Sequence, residues 1–191
     1  MINGMQAAGV IERYAIGGAV AATFYLEPVA TLDVDVFVEF HTEPGSQMIS
    51  PEPIFRYLRD RGCAMEGEHG VRGRRRVDCM GRVVTRPSDR EIASQHIVIA
   101  GWPIQFLPAG SALVQEALAK AVEKDVEGTP ARVFTAEDLA AIALETGRAK
   151  DKARVLQFIE ADAIDLDRLQ EILTRHGLAG AWEQFERQFL K

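Results

Sequence analysis

The sequence predicts an α/β chain of the α+β kind: a small mixed sheet flanked by helices, followed by a C-terminal helical tail. Three observations predict it. The stretch from Tyr14 to Val38 reads as a short strand, a Gly-Gly turn, a helix of small residues and a second strand. Residues 95–107 hold two apolar runs on either side of Gly101, the pattern of a hairpin. Beyond Phe134 the chain carries helix caps and helical periodicity, with no further strand pattern. At 191 residues it is long enough for one domain with a real core, or a core with a helical extension. The expected division is 1–134 for the sheet-bearing domain, with 69–95 an insertion or hairpin inside it, and 135–191 for a helical tail packed on it.

Taken in order, residues 4–12 suit a short helix and Arg13 to Ile16 a first strand. From Gly18 to Leu26 the residues Ala19, Ala21, Ala22, Phe24 and Leu26 favour helix, and Pro28 ends it. Leu32 to Phe40 alternates: Leu32, Val34, Val36 or Phe37, and Val38 are apolar, whereas Asp33, Asp35 and Glu39 occupy odd positions, giving one apolar and one acidic face. Ser50 is a plausible N-cap for a helix that runs to Arg61 and stops at Gly62, burying Ile54, Leu58 and Tyr57. Val77 to Thr85 suits a strand or hairpin. Ser111 is placed to cap a helix from Ala112 to Glu123, and Ala131 to Phe134 reads as a short strand. Thr135-Ala-Glu-Asp138 resembles a capping box with aspartate in the place of glutamate, and its helix reaches Thr146. Helices at 150–161, 166–176 and 178–189 complete the chain, with Asp165 as a cap and Gly177 as a stop. Trp182, Phe185 and Phe189 fall at helical spacing, which suits a core or a dimer contact.

Composition narrows the functions. Hydrophobic residues are 47% and charged residues 26% of the chain, ordinary for a globular protein. A net charge of -6 argues against general nucleic-acid binding, so any such binding must come from a local patch. One patch exists: seven arginines lie between Arg72 and Arg90, against Asp78 and Asp89. It lacks interleaved aromatics, so it suits phosphate contacts better than base stacking, and a surface hairpin without a role explains it equally well. Cys63 and Cys79 form neither a metal cluster nor a disulfide framework, which fits a reducing compartment. The apolar run from Ala15 to Leu26 is too short to span a bilayer and has no basic leader, so a cytoplasmic location is expected. His41, His69, His96 and His176 show no metal-ligand spacing.

The chemistry concentrates at Asp33 and Asp35. Residues i and i+2 of a strand point to one face, so these carboxylates lie side by side and repel each other. Paired acids in an apolar setting call for a compensating cation, and magnesium is the natural one. A glycine at Gly17 and Gly18 admits positive φ or close packing, and lets backbone N–H groups approach a phosphate. An exposed edge with acids alternating for solubility, and a tight turn with no ligand, are the plain alternatives.

The pattern apolar-Gly17-Gly18, a helix, then Thr31-x-Asp33-x-Asp35 resembles the polymerase-beta-like nucleotidyltransferase superfamily. The stretch Thr135 to Arg154 is similar to the helical region of small bacterial nucleotidyltransferases related to abortive-infection toxins, with an Arg-x-Lys-Asp element at Arg148, Lys150 and Asp151. This resemblance implies transfer of a nucleoside monophosphate from an NTP to a hydroxyl on RNA, protein or a small molecule. It assigns magnesium to Asp33 and Asp35, phosphate to Gly17 and Gly18, and further phosphate contacts to Arg148 and Lys150. An antitoxin-like partner would go with the toxin relationship. An exposed helix face laced with Glu145 and Asp151 is the plain alternative for Arg148 and Lys150.

Two departures stand out. The family carries a third carboxylate on a later strand, and the matching strand, Pro103 to Leu107, has Gln105 there. An amide oxygen can coordinate a metal but cannot accept a proton as a general base. Asp78 is the rival third acid. Some toxin relatives also carry a lysine where this chain has Ala143. The alternative function is therefore a catalytically impaired nucleotide- or partner-binding protein on the same scaffold; an RNA-binding accessory protein using the arginine segment is a third class.

Overall fold

The computed structural model describes residues 1–28, 30–40, 51–65, 96–99 and 101–190. Among them run α1 (Ile2–Ala7), β1 (Ile11–Ile16), α2 (Gly18–Ala22), β2 (Val34–Phe40), α3 (Glu52–Arg59), β3 (Ala64–Met65), β4 (His96–Ile99), β5 (Trp102–Pro108), α4 (Ala112–Lys120), β6 (Val122–Val126), β7 (Thr129–Val133), α5 (Ala136–Thr146), α6 (Ala149–Glu160), α7 (Leu166–Arg175) and α8 (Ala179–Phe189). The arginine segment Arg72 to Arg90, with Asp78 and Cys79, lies outside the described residues, as do His41, Ser50 and His69.

The described strands form a seven-stranded sheet in the order β3-β4-β5-β2-β1-β7-β6. It is mixed: β2 pairs in parallel with β5, and β1 with β7, while the remaining neighbours are antiparallel. The expected small mixed sheet flanked by helices is therefore the observed architecture. The centre of the sheet is β5-β2-β1, so the acidic strand has a neighbour on both edges.

Each sheet face carries its own core. Val36, Val38, Ile104 and Phe106 pack with Met5 of α1 and Ile54, Phe55 and Leu58 of α3. On the opposite face, Ala15 meets Ala21 and Ala22 of α2, Leu113 and Leu118 of α4, and the apolar stripes of α5 to α8. Phe134, Phe158 and Phe185 are fully buried there. Each such side chain contributes roughly 1.5–3 kcal/mol on leaving water. Trp182 stacks on Phe185 at 5.7 Å and Phe185 meets Phe189 at 5.0 Å, so these aromatics are core.

Several caps act where the sequence places them. Ser111 Oγ accepts from the Val114 N–H at 3.3 Å, and Asp165 Oδ1 accepts from the N–H groups of Asp167 and Arg168 at 3.0 and 3.2 Å. Thr135 Oγ1 accepts from the Asp138 N–H at 3.2 Å and donates back to Asp138 Oδ2 at 2.9 Å. Asp138 is 1% exposed, and burial pushes its carboxyl above the ordinary range. Gly177 turns α7 off at a φ of 70°.

Other expectations are corrected. The helix of residues 4–12 is the shorter α1, because Gly9 at a φ of 67° breaks it and β1 already begins at Ile11. The helix expected from Gly18 to Leu26 stops at Ala22. The helix expected to reach Glu123 stops at Lys120, and residues 122–126 are strand. Glu127 at a φ of 51° and Gly128 at 79° form a two-residue turn of the type that matches strand twist, closing a β6–β7 hairpin. Pro51, not a serine, is the N-cap of α3, with no side-chain capping bond, and α3 buries Phe55 rather than Tyr57 beside Ile54 and Leu58.

Candidate active site

Asp35 lies on the face of the sheet that the tail helices cover, whereas the strand expected from Leu32 begins only at Val34, so Asp33 stands in the segment just before it. Val34, Val36 and Val38 point to the α1–α3 side, and Phe37, two residues past Asp35, packs against Phe134 with ring centroids 5.0 Å apart. The face expected to be simply acidic is therefore half apolar core and half carboxylate, with the acids at the end where α2 begins. Thr31 Oγ1 donates to Asp33 Oδ1 at 3.4 Å and to the Asp33 carbonyl at 3.2 Å, which ties the first carboxylate to the loop before β2.

The Gly-Gly turn is built around Asp35. The Gly17 N–H donates to the Asp35 carbonyl at 2.9 Å, which fixes the turn to β2. Gly18 has a φ of 60°, a backbone region that costs an L residue about 1–2 kcal/mol. A Cβ there would lie 2.0 Å from Asp35 Oδ2. At Gly17 a Cβ would lie 2.5 Å from the Phe37 ring. Both glycines are thus required by close approach, and the second one touches the carboxylate itself. The helix that follows has five residues, too short to act as the anion-attracting helix end that the sequence suggests.

Burial pushes the Asp35 carboxyl above its ordinary range, and the neighbouring Asp33 pushes it further. Lys150, Arg148 and Arg154 act in the opposite direction. These three cations come from the start and second turn of α6, more than a hundred residues away in sequence, and the fold brings them to the acidic pair. None of them forms an ion pair with Asp35, whose carboxylate makes no hydrogen bond or ion pair among the described residues.

Arg148 is held from below. Its Nε donates to Asp151 Oδ2 at 2.5 Å and its Nη2 to Oδ1 at 3.3 Å. Asp151 is 3% exposed, so it does not lace an outer helix face; only Glu145 of the two expected acids is exposed. A buried carboxylate gripping an exposed arginine fixes where that guanidinium stands. Sequence reading missed this role of Asp151, and it missed Arg154. The signal for Arg154 was its spacing of four from Lys150, which puts both on one side of a helix.

Gln105 is the register partner of Asp35 across the parallel β2–β5 pair. Register partners share a face, so the amide is on the Asp35 side of the sheet. The rival, Asp78, lies outside the described residues. Two carboxylates and a flanking amide are hard oxygen donors that fit a magnesium ion. No group of three or more His, Cys, Asp or Glu suited to a metal occurs among the described residues.

The crystal structure of an antigenic nucleotidyltransferase-like protein from Paracoccidioides brasiliensis is similar to this chain with a TM-score of 0.52 and 13% identity, covering 98% of this chain and 84% of that one. The solution structure of the antibiotic-resistance factor ANT(2'')-Ia gives a TM-score of 0.46 and 13% identity, over 98% of this chain and 94% of that one. The first likeness shows a shared fold; at 13% identity it carries no activity or substrate across. No family profile and no curated protein sequence matches the chain. No helix among the described residues is long and apolar enough to cross a membrane.

Proposed function

We propose that the chain is a magnesium-dependent nucleotidyltransferase that moves a nucleoside monophosphate from an NTP to a hydroxyl acceptor. One observation carries this reading: Asp35 closes on Gly18 beside Asp33, and Lys150, Arg148 and Arg154 act on it without forming an ion pair with it among the described residues. A buried carboxylate with cations near it but not paired to it suits a ligand bearing both metal and phosphate. Asp33 and Asp35 would hold the ion, with Gln105 beside them. A bound magnesium ion supplies positive charge against the phosphates.

The remaining work falls to the chain. Gly18 leaves room for the Asp35 carboxylate to lie against the backbone, which sets where the metal would be held. Arg148, pinned by Asp151, and Lys150 neutralise phosphate oxygens and hold the α-phosphorus in line with the acceptor oxygen. The acceptor oxygen bonds to the α-phosphorus as the bond from that phosphorus to the bridging oxygen of pyrophosphate breaks, and the hydroxyl proton passes to solvent. Positioning and charge stabilisation do most of the catalysis in such transfers. The helical stretch supports a toxin-type enzyme with an antitoxin-like partner; the acceptor is a hydroxyl of RNA, protein or a small molecule.

Gln105 in register with Asp35 favours a second reading, a catalytically impaired protein that binds nucleotide or a partner without turnover. Calorimetry with each NTP, with and without magnesium, on wild type and Asp35→Asn tests the first step. Magnesium-dependent binding that the substitution abolishes is expected; binding indifferent to both overturns the reading. Label moving from α-labelled NTP, and lost in Asp33→Ala, separates the enzyme from the binding protein.

A further inference from the structure

The two acids of the site are held by different means. Asp35 lies within β2, in register with Gln105, and its carbonyl accepts the Gly17 N–H at 2.9 Å. Asp33 stands before the strand, whose first register pair among the described residues is Val34 with Ile104. The β2–β5 ladder therefore does not set its direction. Leu32, between Thr31 and Asp33, is 88% exposed, so apolar burial does not shape this turn either. The half-buried Thr31 does reach Asp33: its Oγ1 lies 3.2 Å from the Asp33 carbonyl and 3.4 Å from Oδ1. One hydroxyl proton serves both acceptors, and both distances exceed the usual length of about 2.7–2.8 Å, so the tether is modest. It spans the backbone and the side chain of one residue, so it restrains the turn and the rotation of the carboxylate together. That restraint opposes the repulsion that would swing Asp33 away from Asp35.

We infer that Thr31 is a positioning residue for the metal: its hydroxyl holds the Asp33 carboxylate in the direction in which it shares a cation with Asp35. This rests on the nucleotidyltransferase reading, which gives the metal to those two carboxylates. Thr31 touches neither metal nor nucleotide in this role and acts through Asp33 alone. An outer hydrogen bond of this kind fixes the direction of a ligating carboxylate, and its loss weakens the metal without removing a ligand.

The test is a titration with Mn2+, followed by electron paramagnetic resonance, on wild type, Thr31→Val and Thr31→Ser. It reads the metal without any turnover. Thr31→Val keeps the size of the side chain and loses the hydroxyl, and it is expected to weaken Mn2+ binding about three- to tenfold, the worth of one long hydrogen bond. Thr31→Ser keeps the hydroxyl and is expected to bind Mn2+ as wild type does. The inference is overturned if Thr31→Val binds as tightly as wild type. It is also overturned if Thr31→Ser loses as much as Thr31→Val, because the methyl group and not the hydroxyl then matters. A Thr31→Val protein that does not fold overturns it too, since Thr31 then serves the fold. Failure of wild type to bind Mn2+, alone or with NTP, removes the nucleotidyltransferase reading along with it, whereas wild-type binding that Thr31→Val leaves unchanged removes this inference alone.

Discussion

Glu116 and Asp35 are both carboxylates with three basic side chains around them, and their chemistry diverges. Glu116, on α4, is in direct contact with Lys120, Arg175 and His176, the last at 2.8 Å. Hydrogen bonding to Lys120 leads the causes that hold its carboxyl down at about 2. Asp35 has Lys150, Arg148 and Arg154 in range but bonded to none of them, and burial beside Asp33 keeps its carboxyl above the ordinary range. The first carboxylate is completed by the chain and clasps α4 to the end of α7. The second is left incomplete, with both signs of charge held apart. Stability accounts for the first arrangement; the second is the kind that suits an added ligand.

The sharpest way to break this comparison is to neutralise Asp35. Asp35→Asn is expected to lower transfer by on the order of a hundredfold or more, the scale of losing one charge-stabilising contact. The same substitution should raise the melting temperature in metal-free buffer. A carboxyl raised in the folded state supports folding while protonated, and that support is lost as pH rises through the raised value. The gain from asparagine is therefore largest near neutral pH and shrinks on acidification. Melting curves at several pH values check it, and a variant less stable than wild type at pH 7 would show that Asp35 is a structural residue. Magnesium should raise the melting temperature of wild type and leave Asp35→Asn unmoved.

Gly18→Ala comes next. The added Cβ must displace the Asp35 carboxylate from a position 2.0 Å away, and the φ of 60° adds backbone strain. A displacement near 1 Å costs about a hundredfold in rate, and the left-handed backbone about 1–2 kcal/mol in stability. Activity and denaturant unfolding measured together separate the two effects; an active Gly18→Ala would mean that the close approach is not part of the site.

The smallest effect is expected at the completed carboxylate. Glu116→Gln should cost about 1 kcal/mol, since Lys120 and Arg175 are half exposed. Its carboxyl is depressed in the folded state, so its contribution is present above the ordinary carboxylate range and is lost as pH falls toward about 2. Urea unfolding at pH 7 and pH 3 should show the difference between wild type and variant shrinking at the lower pH, with nucleotide binding unchanged.

Much of the fold was legible because its signals are local. Thr135, Ser111 and Asp165 bond N–H groups within three residues of themselves, so their caps can be read without knowing what the helices pack on. The β4–β5 hairpin around Gly101, at a φ of 85°, is equally local. The β6–β7 hairpin was legible in principle from Glu127-Gly128 between two valine-bounded runs, but the preceding alanine-rich helix masked it. The length of α2 was not legible, because Phe24, Tyr25 and Leu26 follow helical spacing while actually packing against the tail-side core.

The sequence by itself determined that Asp35 follows Asp33 at strand spacing, that two glycines precede them, and that a helix opening at Arg148 and carrying Lys150 lies far downstream. Those facts follow from strand and helix periods, which depend only on neighbours in the chain. Tertiary structure alone decided that Gly18 closes on Asp35, that Gln105 falls opposite it in register, and that Asp151 is buried to hold Arg148. The reason is that charge and steric contact act through space: their strength depends on distances between residues far apart in the chain, and packing the sheet against α6 sets those distances.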